Sequence, residues 1–278
     1  MILLDGKKVS KEKLESLKEK LSKLNKKLGL AIIQIGNDIP TTIYVNKKKQ
    51  IALELNYHCQ VIKFNESEKE EIILKEIDKL NKDNNIDGII IELPIPNHLN
   101  KDKILNSVIK EKDIDGLTKE NEISLNDNNP YLIPCTPLAV LDLLDYYNIS
   151  LKNKKITIIG KSKLVGAHLS TILKNKNISH QVLDSKTKNI EEITKKSDII
   201  ILAIGKKHFL KDNMIKENTI IIDIGITKEN GKIYGDADFE KIKEKSSYIT
   251  PVPGGIGPMT IYEAMNNVYN AYILKKEK

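Results

Sequence analysis

Along the chain, charged stretches with apolar residues three and four positions apart alternate with short, nearly continuous apolar runs bounded by Gly, Pro, Asn and Asp. The first pattern makes a helix with one apolar face. The second makes a strand buried on both sides, and the alternation of the two is the rhythm of a parallel sheet covered by helices. Residues 10–28 set it going, with Leu14, Leu17, Leu21 and Leu24 spaced along one face among lysines and glutamates. The pattern then predicts strands over 30–35, 58–64 and 86–93, helices running to Leu55 and around 69–81 between them, and a further helix from about 101 to 108. A second series follows Pro137: a connecting helix over 138–147, strands over 155–159, 180–183, 198–204, 219–224 and 247–249, and a last helix over 261–274. That helix has no strand after it and is expected to pack back on the first βαβαβ unit. The expected fold is α/β with two domains, a discontinuous α/β domain of 1–137 plus 259–278 and a Rossmann-like, doubly wound domain of 138–258, with a cleft between them.

All nine prolines fall in four stretches, each at the end of an apolar run. The densest is Thr250-Pro-Val-Pro-Gly-Gly-Ile-Gly-Pro-Met-Thr260. It can be neither helix interior nor ladder-paired strand, so a shaped loop is expected, with free backbone N–H groups meeting a helix N-terminus where anions and polar ligands dock. A rigid connector is the plain alternative.

Gly160-Lys-Ser-Lys-Leu-Val-Gly166 follows an apolar strand and opens a helical pattern, the position at which a dinucleotide pyrophosphate binds. Serine stands where the usual GxGxxG has its second glycine, so a plain tight turn competes for the motif taken alone. Asp184 ends the next strand, where a carboxylate can accept from a ribose 2′-OH. Ala203-Ile-Gly205 and Asp223-Ile-Gly225 put small residues at two more strand ends, where a flat cofactor can approach the backbone. In the first unit Tyr44 and Lys48 share one helix face. Between Lys47 and Lys49, a solvated lysine is the ordinary reading of Lys48; the functional one takes Tyr44 as a stacking ring and Lys48 as an acid or base tuned by burial. Lys112-Asp113-Ile-Asp115-Gly116 adds two acids before a glycine, or an ordinary turn.

Composition narrows the classes. The net charge of +7 is carried by lysine, which reads as solvated faces rather than a nucleic-acid patch, and no nucleic-acid-binding signature is present. The two cysteines, Cys59 and Cys135, are far apart and lack zinc spacing, so free thiols in a reducing compartment are expected and no metal site. The opening apolar run is too short for a signal peptide and no stretch approaches the ~20 apolar residues of a membrane span, so a cytoplasmic protein without membrane contact is expected.

Tyr44-x-x-x-Lys48, Glu92-Leu-Pro-Ile-Pro96, Lys112-Asp-Ile-Asp-Gly116, Pro134-Cys-Thr-Pro137, Gly160-x-Ser-x-x-Val-Gly166, Asp223-Ile-Gly-Ile226, Gly235-Asp236 and Pro251-Val-Pro-Gly-Gly-Ile-Gly-Pro-Met-Thr260 stand in one order over nearly the whole chain. In that order and spacing the sequence resembles the bifunctional methylenetetrahydrofolate dehydrogenase/methenyltetrahydrofolate cyclohydrolase family. The resemblance implies a homodimeric cytoplasmic enzyme of one-carbon metabolism that oxidises 5,10-methylenetetrahydrofolate with NADP, NAD being possible, and hydrolyses the product to 10-formyltetrahydrofolate. It places Lys48, Tyr44, Glu92 and Asp115 at the catalytic centre: Lys48 activating water or shuttling its proton, Tyr44 stacking near the aminobenzoyl ring, Asp115 binding the pterin's amino edge. Pro253, Gly254 and Gly255 fall with Tyr44 and Asp115 at the substrate. Gly160, Lys161, Ser162, Val165, Gly166, Asp184, Ser185, Gly205, Gly225 and Ile226 fall at the cofactor.

Three departures bear on activity. Glu92 stands where the family has glutamine beside the catalytic lysine. Lys161 stands where it has arginine after the first glycine of the nucleotide motif, and Asp184 where histidine is usual. Lysine meets a 2′-phosphate only as a point charge and an aspartate repels it, which weakens the expected choice of NADP over NAD. His168, in place of a proline, reads as a packing change. Two other classes share parts of the pattern: another NAD(P)-dependent dehydrogenase, which has no use for Tyr44-x-x-x-Lys48, and a catalytically impaired folate- or nucleotide-binding homologue.

Overall fold

The computed structural model describes residues 1–277, and for Lys163 the backbone alone. Two compact units emerge, residues 13–135 with 263–278 and residues 1–12 with 136–262, so that the division falls inside the helices Gly6–Ser22 and Ile256–Lys276.

The first unit is built on three parallel strands in the order His58–Phe64, Gly29–Ile35, Gly88–Ile91. The central strand is buried at every position, as its unbroken Leu-Ala-Ile-Ile run requires. The helices Ile39–Glu54 and Glu70–Lys82 return the chain between strands, and Ile73, Ile77 and Leu80 of the second pack with Ile33, Ile89, Ile91 and Ile104 in one core cluster. The strand predicted over 86–93 is shorter because Glu92 donates the last ladder hydrogen bond, to the Ile33 carbonyl, before Pro94 ends the pairing. The closing helix belongs here through Asn267, whose buried Nδ2 donates to the carbonyls of Ile114 and Ile133 at 2.8 and 2.9 Å, and through Met265, whose carbonyl accepts from the Tyr57 hydroxyl.

The second unit holds six parallel strands in the order Ile2–Leu3, Ser246–Ile249, Thr219–Asp223, Ile199–Leu202, Ile156–Ile159, His180–Leu183. The strand Ile156–Ile159 lies between the strand that follows it and the one after that, so the connections leave in opposite directions from this point. In such sheets ligands lie beyond the carboxyl ends of the strands at this switch. The edge strand Ile2–Leu3 escapes the sequence reading because two residues carry no period. The hairpin Thr227–Glu229 with Lys232–Tyr234 also went unread, although Asn230-Gly231, which both take positive φ, 50° and 74°, is an Asn-Gly hairpin turn. Two helices begin earlier than predicted. Asp5 accepts from the Lys8 N–H at 3.0 Å and starts the first helix at Gly6. The last begins at Ile256 inside the expected loop, because Pro258 lies in the first turn, where its missing N–H costs no hydrogen bond.

Candidate functional site

In the first unit the helix Ile39–Glu54 is fixed at its start by Asp38, which accepts from the Thr41 N–H and hydroxyl at 2.9 and 2.7 Å; the same hydroxyl reaches the Leu93 carbonyl at 3.1 Å. This sets the helix against the loop after Gly88–Ile91 and decides which face is inside. Thr41, Val45, Lys48, Ile51 and Ala52 are buried, while Lys47 and Lys49 are exposed. Lys48 is therefore not a solvated lysine: it lies on the apolar stripe, and its Nζ donates to Glu92 Oε1 at 2.7 Å with side chains 9% and 8% exposed. Burial alone would push the Lys48 ammonium down, but the charges of Asp115 and Glu92 and the Glu92 hydrogen bond outweigh it, and its pKa lies above the ordinary value. Burial pushes Glu92 up against the opposing charge and hydrogen bond of Lys48. With two carboxylates around one ammonium, the proton resides on Lys48. Tyr44, one turn before Lys48, is 37% exposed, and partial burial raises its phenol while the Lys48 charge lowers it.

The structure divides the acids of 112–116 by role. Lys112 donates from its buried Nζ to the carbonyls of Leu80, Asn81 and Asp83 at 2.7–2.8 Å, closing the C-terminus of the helix Glu70–Lys82. Asp113, 5% exposed, accepts from the Leu117 and Thr118 N–H groups and from Asn121 Nδ2. These two shape the turn. Gly116, at φ +65°, lets it pass Pro134, where a Cβ would lie 2.9 Å from the proline nitrogen. Half-buried Asp115 is left to act on Lys48. Two neighbours were given no part in the site from sequence, Cys135 being read there only as a free thiol and a motif position. Cys135 donates from Sγ to the Ile114 carbonyl at 3.2 Å, and burial followed by the Asp115 and Glu263 charges pushes its thiol well above the usual range. Asn267 ties the Ile114 carbonyl of this turn to the Ile133 carbonyl just before Cys135. An asparagine on the apolar face of the last helix was the one available signal for it.

In the second unit Gly160, at φ +113°, follows Ile156–Ile159, and a Cβ there would lie 2.4 Å from the Ala203 carbonyl oxygen. A Cβ on Gly166 would lie 1.8 Å from the Gly160 oxygen, so both glycines are required for the close turn. Lys161 and Ser162 are exposed; Lys163–Ala167, holding half-buried Val165, winds as a wide π turn before the helix His168–Asn175, where His168 is buried. Asp184 Oδ1 accepts from the Lys186 N–H at 3.0 Å and the Thr187 hydroxyl at 3.2 Å, and these bonds with the charges of Lys161 and Lys186 hold its carboxyl below the usual range. Ser185 beside it is exposed. Gly205, at φ +64°, has no atom nearer its missing Cβ than the Ile226 oxygen at 3.9 Å, while Gly225 rests on Asp236, whose carboxylate a Cβ would meet at 2.0 Å. Ile226 is 49% exposed. Tight glycine turns at the switch and an open, partly apolar face at Gly205 and Ile226 fit a dinucleotide. The loop 251–255 is shaped by the Gly255 N–H to the Pro251 carbonyl at 2.8 Å and by Gly254, at φ +117°, whose carbonyl accepts from the Lys7 N–H at 3.1 Å. Among the described residues no cluster of three or more His, Cys, Asp or Glu could hold a metal, and no helix is long and apolar enough to cross a membrane.

Comparison with known proteins agrees along the whole length. Residues 4–115 match the family model for the tetrahydrofolate dehydrogenase/cyclohydrolase catalytic domain, and residues 134–276 match that for its NAD(P)-binding domain. The bifunctional protein FolD of Mesoplasma florum is 41% identical over 278 residues, covering 98% of this chain and 97% of its own. The crystal structure of the bifunctional dehydrogenase/cyclohydrolase of Campylobacter jejuni superposes with a TM-score of 0.94 at 41% identity, covering 99% of both chains. The Trypanosoma brucei enzyme, solved with NADP cofactor and an inhibitor, gives a TM-score of 0.95 at 27% identity, covering 100% of this chain and 99% of its own. With both halves matched in order and relatives at this identity, the chain belongs to the tetrahydrofolate dehydrogenase/cyclohydrolase family.

Proposed function

We propose that this protein oxidises 5,10-methylenetetrahydrofolate to 5,10-methenyltetrahydrofolate with NADP and then hydrolyses the methenyl product to 10-formyltetrahydrofolate, the second step being slowed by Glu92. The observation that carries the reading is the buried Lys48–Glu92 pair with Asp115 acting on the same ammonium. A lysine on an apolar helix stripe costs desolvation, and buried groups coupled by charge in this way gather at functional sites.

The bound nicotinamide supplies the hydride acceptor. The chain's own part in that step is to hold: Gly160 and Gly166 let the backbone of the first turn come close to the pyrophosphate, Lys161, Ser162, Val165, Asp184 and Ser185 line that end, and Gly205, Gly225 and Ile226 offer a face for the flat ring. Asp115 accepts from the pterin's amino edge, a task for which both carboxylate oxygens serve. Tyr44 lies against the aminobenzoyl ring, and Pro253, Gly254 and Gly255 let backbone approach the folate. For hydrolysis, water adds to the methenyl carbon and gives up a proton, the bond from that carbon to N5 then breaks as N5 takes up a proton, leaving the formyl group on N10, and Lys48 is the group placed to take or relay the proton. Held protonated by two carboxylates, it does so poorly at neutral pH. A homodimer in the cytoplasm completes the reading, in keeping with two free cysteines, one half-buried and one buried.

A steady-state assay with methylenetetrahydrofolate and NADP or NAD, followed by hydrolysis of added methenyltetrahydrofolate, tests it, with light scattering for the dimer. Reduction of neither cofactor would overturn the reading.

A further inference from the structure

Asp223 and Asp236 take no part in the chemistry above, yet they are 3% and 0% exposed and between them gather six backbone N–H groups. Asp236 Oδ2 accepts from Ile204 and Gly205 at 2.8 and 3.2 Å, and Oδ1 from Lys206 at 2.6 Å. Asp223 Oδ1 accepts from Gly225 and Asp236 at 3.0 and 3.1 Å, and Oδ2 from Ala237 at 2.8 Å. Two glycines make room for the carboxylates: a Cβ on Gly225 would lie 2.1 Å from the Asp236 oxygens, and one on Gly235 would lie 2.1 Å from Asp223 Oδ2.

We propose that Asp236 and Asp223 are positioning residues for the cofactor, Asp236 spacing the turn 204–206 from the turn 223–226 and Asp223 locking Asp236 in place. This rests on the reading that those turns receive the dinucleotide. The Ile204, Gly205 and Lys206 N–H groups all point to one carboxylate, which leaves the other side of Gly205 open next to the Ile226 carbonyl. Gly225, on the opposite turn, rests on the same carboxylate. One side chain therefore sets the spacing of two strand ends. Three N–H groups converge on Asp236, whose two side-chain oxygens accept all of them, and an amide in its place would turn its NH2 against at least one.

The test is Asp236→Asn, with Asp223→Asn as the second variant. Each amide satisfies part of its set of donors and turns an NH2 against the rest. First, NADPH binding to the native protein is followed by its fluorescence; absence of binding overturns the reading of the nucleotide site itself. Given binding, the KM for NADP is expected to rise about tenfold or more in each variant, while hydrolysis of methenyltetrahydrofolate, assayed without nucleotide, keeps its kcat and KM. An unchanged KM for NADP in both variants overturns the proposal. So does a parallel fall of both activities, which would mark the two acids as supports of the fold alone; if Asp236→Asn does not fold, Asp223→Asn decides by the same split.

Discussion

Glu92→Gln is the most direct perturbation of the proposed catalytic centre. Lys48 Nζ and Glu92 Oε1 are 2.7 Å apart, and full charges at that distance attract by roughly 6 kcal/mol at an effective dielectric near 20. Much of this is offset by desolvation, several kcal/mol per ion. Glutamine keeps an oxygen that accepts from Lys48 and removes one of the two negative charges. Asp115 remains, and its charge continues to favour the protonated form of Lys48, so the ammonium is released only in part. A rise in hydrolysis of about tenfold at neutral pH, ~1.4 kcal/mol, is expected, with the rising limb of the pH profile moved to lower pH. Hydride transfer, which needs no proton from Lys48, should change little. The assay is the loss of methenyltetrahydrofolate absorbance across pH in both proteins, with the buffer-driven rate subtracted. Equal or faster hydrolysis in the Glu92 protein, with the dehydrogenase intact in both, would refute the argument.

Asp115→Ala should abolish both activities and leave NADPH binding intact, because the pterin edge loses charge-assisted hydrogen bonds worth about 1.5–3 kcal/mol each; near-normal dehydrogenase turnover would remove Asp115 from the substrate site. NADP is expected to be preferred over NAD by less than about tenfold, ~1.4 kcal/mol, since Asp184 opposes a 2′-phosphate that Lys161 and Lys186 attract; competing kcat/KM values measure this, and Asp184→Ala should move the ratio toward NADP. Burial, with the charge of Asp236 adding to it, raises the Asp223 carboxyl from 3.8 to about 7. Folding then takes up a proton between these values, so this group's contribution to stability is full below about pH 4, is lost as pH rises to about 7, and is constant above. Relative to Asp223→Asn, the native protein should lose roughly 4 kcal/mol across that window in urea titrations; parallel stability profiles would contradict it.

The alternation of apolar runs and amphipathic stretches was enough to place every strand of the two parallel sheets but Ile2–Leu3, because buried strands announce themselves by runs of Ile, Leu and Val, while the hairpin 227–234 offers no such run. What escaped was short or capped by side chains: Ile2–Leu3, too brief to show a period, and the start of the first helix, fixed by a single carboxylate. At the site, Lys48 was legible as a candidate only. Its spacing from Tyr44 does not say which helix face is buried; Thr41, bonded to Asp38 and to the Leu93 carbonyl, decides that. Likewise 112–116 reads as one charged turn. Only the fold reveals that Lys112 closes a helix and Asp113 ties down backbone, leaving Asp115 for Lys48. Long-range contacts of this kind, such as Asn267 with Ile114, leave no trace in local pattern.

The burial of Cys135 against the Ile114 carbonyl gives the protein a clock. Alkylating reagents attack the thiolate, and Cys135, buried and held protonated, offers none until the Asp115 turn opens. Cys59, half-buried on the edge strand, is also raised by its burial, against the pull of the Lys49 charge, but no turn has to open to reach it. In the native protein the two thiols should therefore label in separate phases, the slow one timing the local opening of the Asp115 turn, and folate bound there as proposed should lengthen it.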